Sequence, residues 1–305
     1  MRKFSAVLLL LLLSIVLIAC GSSDAKNDNE KQNETESNNG ASNEQLETDA
    51  NIVSTTVAIT EIMEKLELDL VGVPTSYKDL PERYKDATEV GNPMDPDLEV
   101  VLSLQPDDVI SVTNLESDLG EKWKEANVPG TFLDLDSVGA MFEEIEALGE
   151  KYDRTEQATA LVQEFEDKME EIEKSVEGKD APKVLILMGI PGSYIVGTEH
   201  SYIGDLVVRL GGEMAVTGHD EDFISANTEY LQQTDADIIL RAAHGAPEEV
   251  VKMFDREFAE NDIWKHFKAV KDDRVYDLEE TRFGTTANLA VLDAMEELKT
   301  ILYEE

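Results

Sequence analysis

The 305-residue sequence contains a single cysteine, Cys20. That excludes a disulfide within the chain, thiolate metal sites and covalent haem attachment through a C-x-x-C-H motif. Histidine is scarce too, with four residues at positions 200, 219, 244 and 266. A zinc or manganese receptor wants three or four converging histidine and carboxylate ligands, which so few dispersed imidazoles supply poorly. Basic residues are outnumbered, 26 against 66 acidic ones, for a formal net charge of −40. This argues against nucleic acid and against direct docking on anionic lipid, and reads as a solvated, soluble surface. The sequence also lacks a Ser-His-Asp, H-E-x-x-H, Walker or G-x-G-x-x-G pattern, so no catalytic chemistry is signalled.

The N-terminus reads as an address. Arg2 and Lys3 precede an apolar run from Val7 to Val16, and Leu17-Ile18-Ala19-Cys20 follows. A run this short before a small residue reads as an export signal over residues 1–19 rather than a spanning helix. "LIAC" resembles the bacterial lipobox, in which the cysteine becomes the lipidated N-terminus of the mature protein. The alternative, an ordinary signal peptide with an incidental cysteine, explains less, because Cys20 stands alone. The expected location is the outer face of the cytoplasmic membrane, anchored by lipid on Cys20. Residues 20–50 are polar and low in complexity, and predict a disordered tether with a reach of roughly 30 Å.

Beyond the tether, Asn51–Thr56 is a β-branched strand followed by the amphipathic "VAITEIMEKLEL". Asp69–Pro74 reads as a second strand and "SYKDLPERYKD" as loop. "DPDLEVVLSLQPDDVISV" reads as a helix ended near Pro106 and a strand Val109–Val112, with Thr131–Leu135 as a further strand. The alternation predicts an α/β lobe with a largely parallel sheet over residues 51–136. Ser137 to Gly178 has no proline and no strand-like run. It predicts a bridging helix, single or broken near Gly149. The alternation then restarts in "KVLILMGI", "SYIVG", "YIGDLVVRLGG" and "TEYLQQTDADIILRA", a second lobe over residues 179–305. Glu99 aligns with Glu229, Asp107 with Asp237, Val109 with Ile239 and Ile110 with Leu240, a constant offset of 130 residues that suggests duplicated lobes.

"VGNPMDP" (Val90–Pro96) is the unusual segment. Two prolines and Gly91-Asn92 make it a loop, yet it carries a methionine, Met94, where no core gap needs filling. Met63, Met141, Met169, Met253 and Met295 fall in helical segments and Met188 ends an apolar strand, so core packing is expected for them; Met214 is less clear. Among the histidines, His244 in "RAAHG" lies just past the strand around Ile238–Leu240, where ligands of open α/β sheets bind. His266, in "IWKHFKAV", is expected to be structural, and His200 and His219 to be solvated. At "TTVAIT" a strand passes into a helix whose free N–H groups suit an anion.

Two α/β lobes bridged by a long helix resemble the solute-binding proteins of ABC importers for siderophores, corrinoids and haem. Runs such as "VGNPMDPDLE", "KVLILMGIPGSYIVGTEHSYIGDLV" and "NDIWKHFKAVKDDRVYDLEETRFG" are similar to the haem-receptor lipoproteins of iron-regulated surface determinant haem-uptake systems. The likeness runs from about Asn51 to the C-terminus. It departs from the expected pattern at Ala246 and at Thr285–Thr286.

What the resemblance implies is a non-enzymatic receptor binding one haem b per chain, with Met94 and His244 as axial ligands of the iron. Met/His is an established axial pair. Val57, Ala58, Ser76 and Tyr77 would surround the propionates; Lys78 is a further candidate for charge. Glu99 and Glu229 would dock on the ABC permease, which works with its ATPase. Upstream cell-surface proteins would deliver haem to a monomer. The rivals are a siderophore or corrinoid receptor, which needs no facing Met/His pair; a haem-degrading lipoprotein, which needs an open iron position; and a purely structural lipoprotein, which leaves the two ligand loops unexplained.

Overall fold

The computed structural model describes residues 50–304, with the side chains of Thr228 and Glu229 outside the description. The export segment, Cys20 and the expected tether up to residue 49 therefore lie outside the described residues; Ala50, expected to be the tether's last residue, is partly buried against the core. Among the described residues no helix is long and apolar enough to cross a membrane.

Two sheets organise the body. The first takes β1 (Ile52–Ser54), β2 (Gly72–Val73), β3 (Thr88–Glu89), β6 (Asp108–Val112) and β7 (Gly130–Leu133) in the order β3-β2-β1-β6-β7, parallel throughout. All of β1 and β6 is buried, as expected for central strands covered on both faces. Helices α1 (Val57–Lys65), α2 (Leu98–Ser103) and α3 (Glu116–Ala126) make the crossovers. The Val90–Pro96 segment, expected as plain loop, contains a minimal antiparallel hairpin of β4 (Gly91–Asn92) and β5 (Asp95–Pro96). The "SYKDLPERYKD" loop carries one 3₁₀ turn, Glu82–Tyr84.

The second sheet is built from β8 (Lys183–Ile190), β9 (Ser193–Gly197), β10 (Glu213–Met214), β11 (Phe223–Ser225), β12 (Ile238–Ala243) and β13 (Val275–Asp277). Its order is β11-β9-β8-β12-β13, with β10 also on β8. Helices α6 (Tyr202–Arg209), α7 (Thr228–Gln232), α8 (Pro247–Glu260), α9 (Lys268–Lys271) and α10 (Val291–Tyr303) surround it. The repeat is visible at atomic detail. Asp107 Oδ2 accepts the Asn51 N–H at 2.8 Å, and its own N–H returns a bond to the Asn51 carbonyl at 2.9 Å. Asp237 does the same with Lys183, at 2.9 and 2.8 Å. Each aspartate thus locks the start of its lobe's central parallel strand pair. The lobes are not copies elsewhere: β8 pairs antiparallel with β9, whereas β1 has the parallel β2 on its flank.

The 137–178 span is two helices, α4 (Val138–Lys151) and α5 (Thr155–Val176). The break falls at Tyr152–Arg154, with Asp153 at φ 57° and the Arg154 N–H bonded to the Gly149 carbonyl at 2.7 Å. Gly149 itself stays helical; a Cβ there would come within 2.4 Å of Ala158 Cβ, so its bareness lets α4 and α5 pack closely. The bridge proper is α5, roughly 33 Å long at about 1.5 Å per residue. It packs on α1 of the first lobe and α10 of the second. One apolar core runs from Ile59 and Ile62 through Phe165 and Met169 to Leu298 and Leu302. Asp205 of α6 accepts the Val138 N–H at 3.0 Å, tying the start of α4 to the second lobe.

The lobes also meet at a pair of acids. Asp136, just past β7, faces Asp222, ahead of β11, and Asp136 Oδ1 is buried without a donor. Two ionised carboxylates cannot satisfy each other; a shared proton can. Burial first, then the charges of Asp222 and Asp134, pushes Asp136 up to about 7, while Asn114 favours its charged form. Burial raises Asp222 as well, with the charge of Asp134, against the hydrogen bond with Asp136 and the charge of His200. Because the folded pKa of Asp136 lies above its ordinary value of 3.8, its contribution to stability is complete below that value and is lost as pH rises through about 7. For a partly solvated pair the loss is on the order of 1 kcal/mol, or about 2–4 °C. Asp136→Asn, which supplies a permanent donor, is expected to melt at least as high as the parent at about pH 8 and to show a flatter Tm profile between about pH 6 and about pH 8. Superimposable profiles would refute the shared proton.

Candidate functional site

Met94 sits at the tip of the β4–β5 hairpin. Asn92 Oδ1 accepts the Met94 N–H at 2.9 Å, a local turn bond that fixes the residue between its two prolines. Gly91 holds φ 99°, and a Cβ there would lie 3.1 Å from the Asp97 N, so the hairpin base needs glycine. Asp97 then caps α2 by accepting from Glu99 and Val100. The Met94 side chain is 56% exposed. Met63, Met141, Met169, Met188, Met214 and Met295 are buried and Met253 is half-buried in the core. A thioether displayed on a stiff turn is therefore an exception to this protein's own use of methionine.

His244 follows β12 directly. Its N–H donates to the Gly189 carbonyl at 2.8 Å, extending the β8–β12 pairing by one residue. Gly245 (φ 68°) and Ala246 (φ 45°) both adopt left-handed geometry and turn the chain into α8, which opens on Pro247. The imidazole is half-buried. Burial chiefly, with help from the Lys78 charge and against that of Glu280, holds its pKa below the ordinary histidine value. The ring is thus neutral at pH 7, the form that can ligate a metal.

A chain of hydrogen bonds joins these two places. The Thr75 N–H donates to the Gly91 carbonyl at 2.9 Å, fastening the next loop to the Met94 hairpin. In that loop Ser76 Oγ accepts the Lys78 N–H at 2.9 Å. The Tyr77 hydroxyl crosses to the second lobe and donates to Glu280 Oε2 at 2.5 Å. Glu280 Oε1 accepts the Gly245 N–H at 3.1 Å, beside His244. The charge of Lys78 acts on both Glu61, in the second turn of α1, and His244. Thr56 caps Ile59 at 3.4 Å, and the N–H groups of Val57 and Ala58 belong to the set that an α-helix leaves unpaired. Among the described residues no hydrogen bond joins Met94 to His244 themselves; the link is indirect.

Other candidates fall away from this place or outside it. His200 is exposed as expected; His219 is half-buried. His266, expected to be structural, is exposed on the 3₁₀ turn Asp262–His266, while its neighbours Trp264 and Phe267 carry the packing. Glu99 is exposed on the first turn of α2. Glu229 is on α7, its side chain outside the described residues. Among the described residues no three or more histidine, cysteine or acidic side chains are grouped to hold a bare metal ion. Glu280, missed in the sequence, is the residue that touches both loops.

Residues 52–281 match the periplasmic binding protein family. The high-affinity heme uptake system protein IsdE of Staphylococcus aureus (strain bovine RF122 / ET3-1) is 50% identical over 255 residues, 83% of this chain and 87% of that protein. The crystal structure of S. aureus IsdE complexed with heme superimposes with a TM-score of 0.82 at 49% identity, covering 84% of this chain and all of that one (100%). An ABC transporter substrate-binding protein from Listeria monocytogenes EGD-e gives a TM-score of 0.80 at 53% identity, covering 84% and 99%. From the first strand of the body to the turn beyond β13, sequence and fold agree, and the chain belongs to the periplasmic binding protein family.

Proposed function

We propose that this protein is a haem receptor of an ABC importer, binding one haem b between its lobes with Met94 and His244 as axial ligands. The observation that carries the reading is the exposed Met94 thioether, held on a fixed turn and bonded through Thr75, Tyr77 and Glu280 to the turn of a neutral His244. A thioether and an imidazole are soft and borderline ligands suited to haem iron, and two such ligands fill both axial positions. With no open position for oxygen, the protein carries haem without transforming it. The unpaired N–H groups of Val57 and Ala58, with the Ser76–Tyr77 loop, suit the anionic propionates. The Tyr77 hydroxyl is already committed to Glu280, which leaves Ser76 and backbone donors to that task.

The same reading places the protein outside the cytoplasm, lipid-anchored on Cys20, as a monomer that takes haem from upstream surface proteins and hands it to a permease and its ATPase. Glu99 and Glu229 start equivalent helices of the repeat, at the carboxyl ends of the strands. They suit basic patches on the two halves of a permease, guiding register more than strength, since exposed ion pairs contribute about 0–1 kcal/mol each. A Glu99→Ala, Glu229→Ala double variant is expected to bind haem normally but to slow growth on limiting haem iron. Growth equal to the parent would refute the docking role.

Titration of the purified protein with hemin, a ferric siderophore and a corrinoid in parallel tests the function. A saturable Soret band at one hemin per chain is expected. Saturation by the siderophore or corrinoid instead would replace haem as the ligand. Because α5 packs on both lobes and one core runs through them, only slight closure on binding is expected. Small-angle scattering with and without hemin measures this, and a large fall in radius of gyration would contradict it.

A further inference from the structure

Glu280 is the residue through which the two halves of the site are joined. It follows β13 in a segment that has little freedom. Leu278, two residues earlier, is buried, and its N–H continues the sheet to the Arg241 carbonyl at 2.8 Å. Phe283, three residues later, is fully buried, and its N–H closes a turn on the Glu279 carbonyl at 3.0 Å. The carboxylate is thus presented from a backbone fixed on both sides. One oxygen takes the Gly245 N–H and the other the Tyr77 hydroxyl. Tyr77 is 70% exposed, so the hydroxyl bond rather than packing fixes its ring. Among the described residues no lysine or arginine forms an ion pair with Glu280, and at His244 its charge outweighs the opposing one of Lys78, so it is felt by whatever occupies the space beside the ring.

Resting on the haem-receptor reading, we propose that Glu280 is a positioning residue that holds the His244 turn and latches Tyr77 across the lobes, and that its charge makes the site prefer ferric over ferrous haem. Ferric porphyrin carries one more positive charge at the iron than ferrous porphyrin. An unpaired carboxylate in a half-buried site stabilises that extra charge by direct attraction. Methionine ligation alone acts the other way, raising the potential. The carboxylate would therefore offset the thioether and keep the oxidised cargo bound.

The test compares the parent, Glu280→Gln and Glu280→Ala. Glutamine keeps the size and an acceptor for the Gly245 N–H but removes the charge. Hemin and dithionite-reduced haem are titrated into each, and the midpoint potential of each complex is measured. For Glu280→Gln the ferric-to-ferrous affinity ratio is expected to fall roughly tenfold, with a positive shift in potential and an unchanged low-spin spectrum. For Glu280→Ala, hydrogen exchange of the Gly245 amide in haem-free protein is expected to speed up, and both oxidation states to bind more weakly. An unchanged affinity ratio in Glu280→Gln would overturn the charge role, and unchanged Gly245 exchange in Glu280→Ala would overturn the positioning role. If the alanine variant does not fold, Glu280→Ser, whose side chain is too short to reach the Gly245 N–H, takes its place with the same expected and overturning results, and Glu280→Gln alone decides the charge role. A parent that binds no hemin would refute the haem reading, while the exchange measurement on haem-free protein would still decide whether Glu280 holds the turn.

Discussion

His244→Ala is expected to lower hemin affinity by about 100-fold or more and to abolish the six-coordinate low-spin spectrum, because it removes the stronger of the two proposed ligands. Met94→Ala should do less: a thioether is the weaker ligand, and water can take its place at the iron. The two variants separate a ligand role from a structural one. The Met94 side chain is more than half exposed, so its loss should leave the melting temperature of the haem-free protein almost unchanged. The His244 backbone bond to Gly189 does not depend on the side chain, so the fold should survive that change also. Parent-like spectra in both variants would refute the assignment, and a collapse of the apo fold in both would assign these residues to structure instead.

Trp264→Ala is expected to have the largest effect on stability, about 3–5 kcal/mol, or on the order of 10 °C in Tm. Trp264 is fully buried and stacks on Phe258 at 4.3 Å with the rings within 8° of parallel. Its indole N–H donates to Glu257 at 3.1 Å, and Phe254, Tyr194 and Phe267 complete the cluster. Phe254 and Phe258 belong to α8, the helix that begins three residues after His244. Loosening the cluster should therefore weaken hemin binding modestly even well below the melting point. A Tm within about 2 °C of the parent would show that α8 is held in place by something else.

How far the sequence revealed this arrangement follows from the range of each interaction. The central strands were legible because they are continuous β-branched and aliphatic runs, and the Asp107–Asp237 repeat because its function is local, one residue before each strand. The break between α4 and α5 was legible as a candidate near Gly149, but its exact place was not: it falls at Tyr152–Arg154, where Asp153 rather than a glycine takes the left-handed conformation. Suspicion fell on Gly149, whose actual use is to admit Ala158. Helix α3 was missed because Leu119 and Trp123 are the buried residues on an otherwise polar segment. The β4–β5 hairpin has two residues per strand, too few for any period to show. Met94 and His244 stood out as residues whose types did not fit their surroundings. Glu280 could not stand out in that way, since its partner Tyr77 lies 203 residues away and nothing local distinguishes it from Glu279.

The most direct test of the central claim is the low-temperature electron paramagnetic resonance and near-infrared magnetic circular dichroism of the purified protein loaded with one equivalent of hemin. Met94/His244 ligation predicts a single low-spin ferric species with a methionine-to-iron charge-transfer band, lost on Met94→Ala. A high-spin spectrum, a bis-histidine signature, or a charge-transfer band that survives Met94→Ala would contradict it.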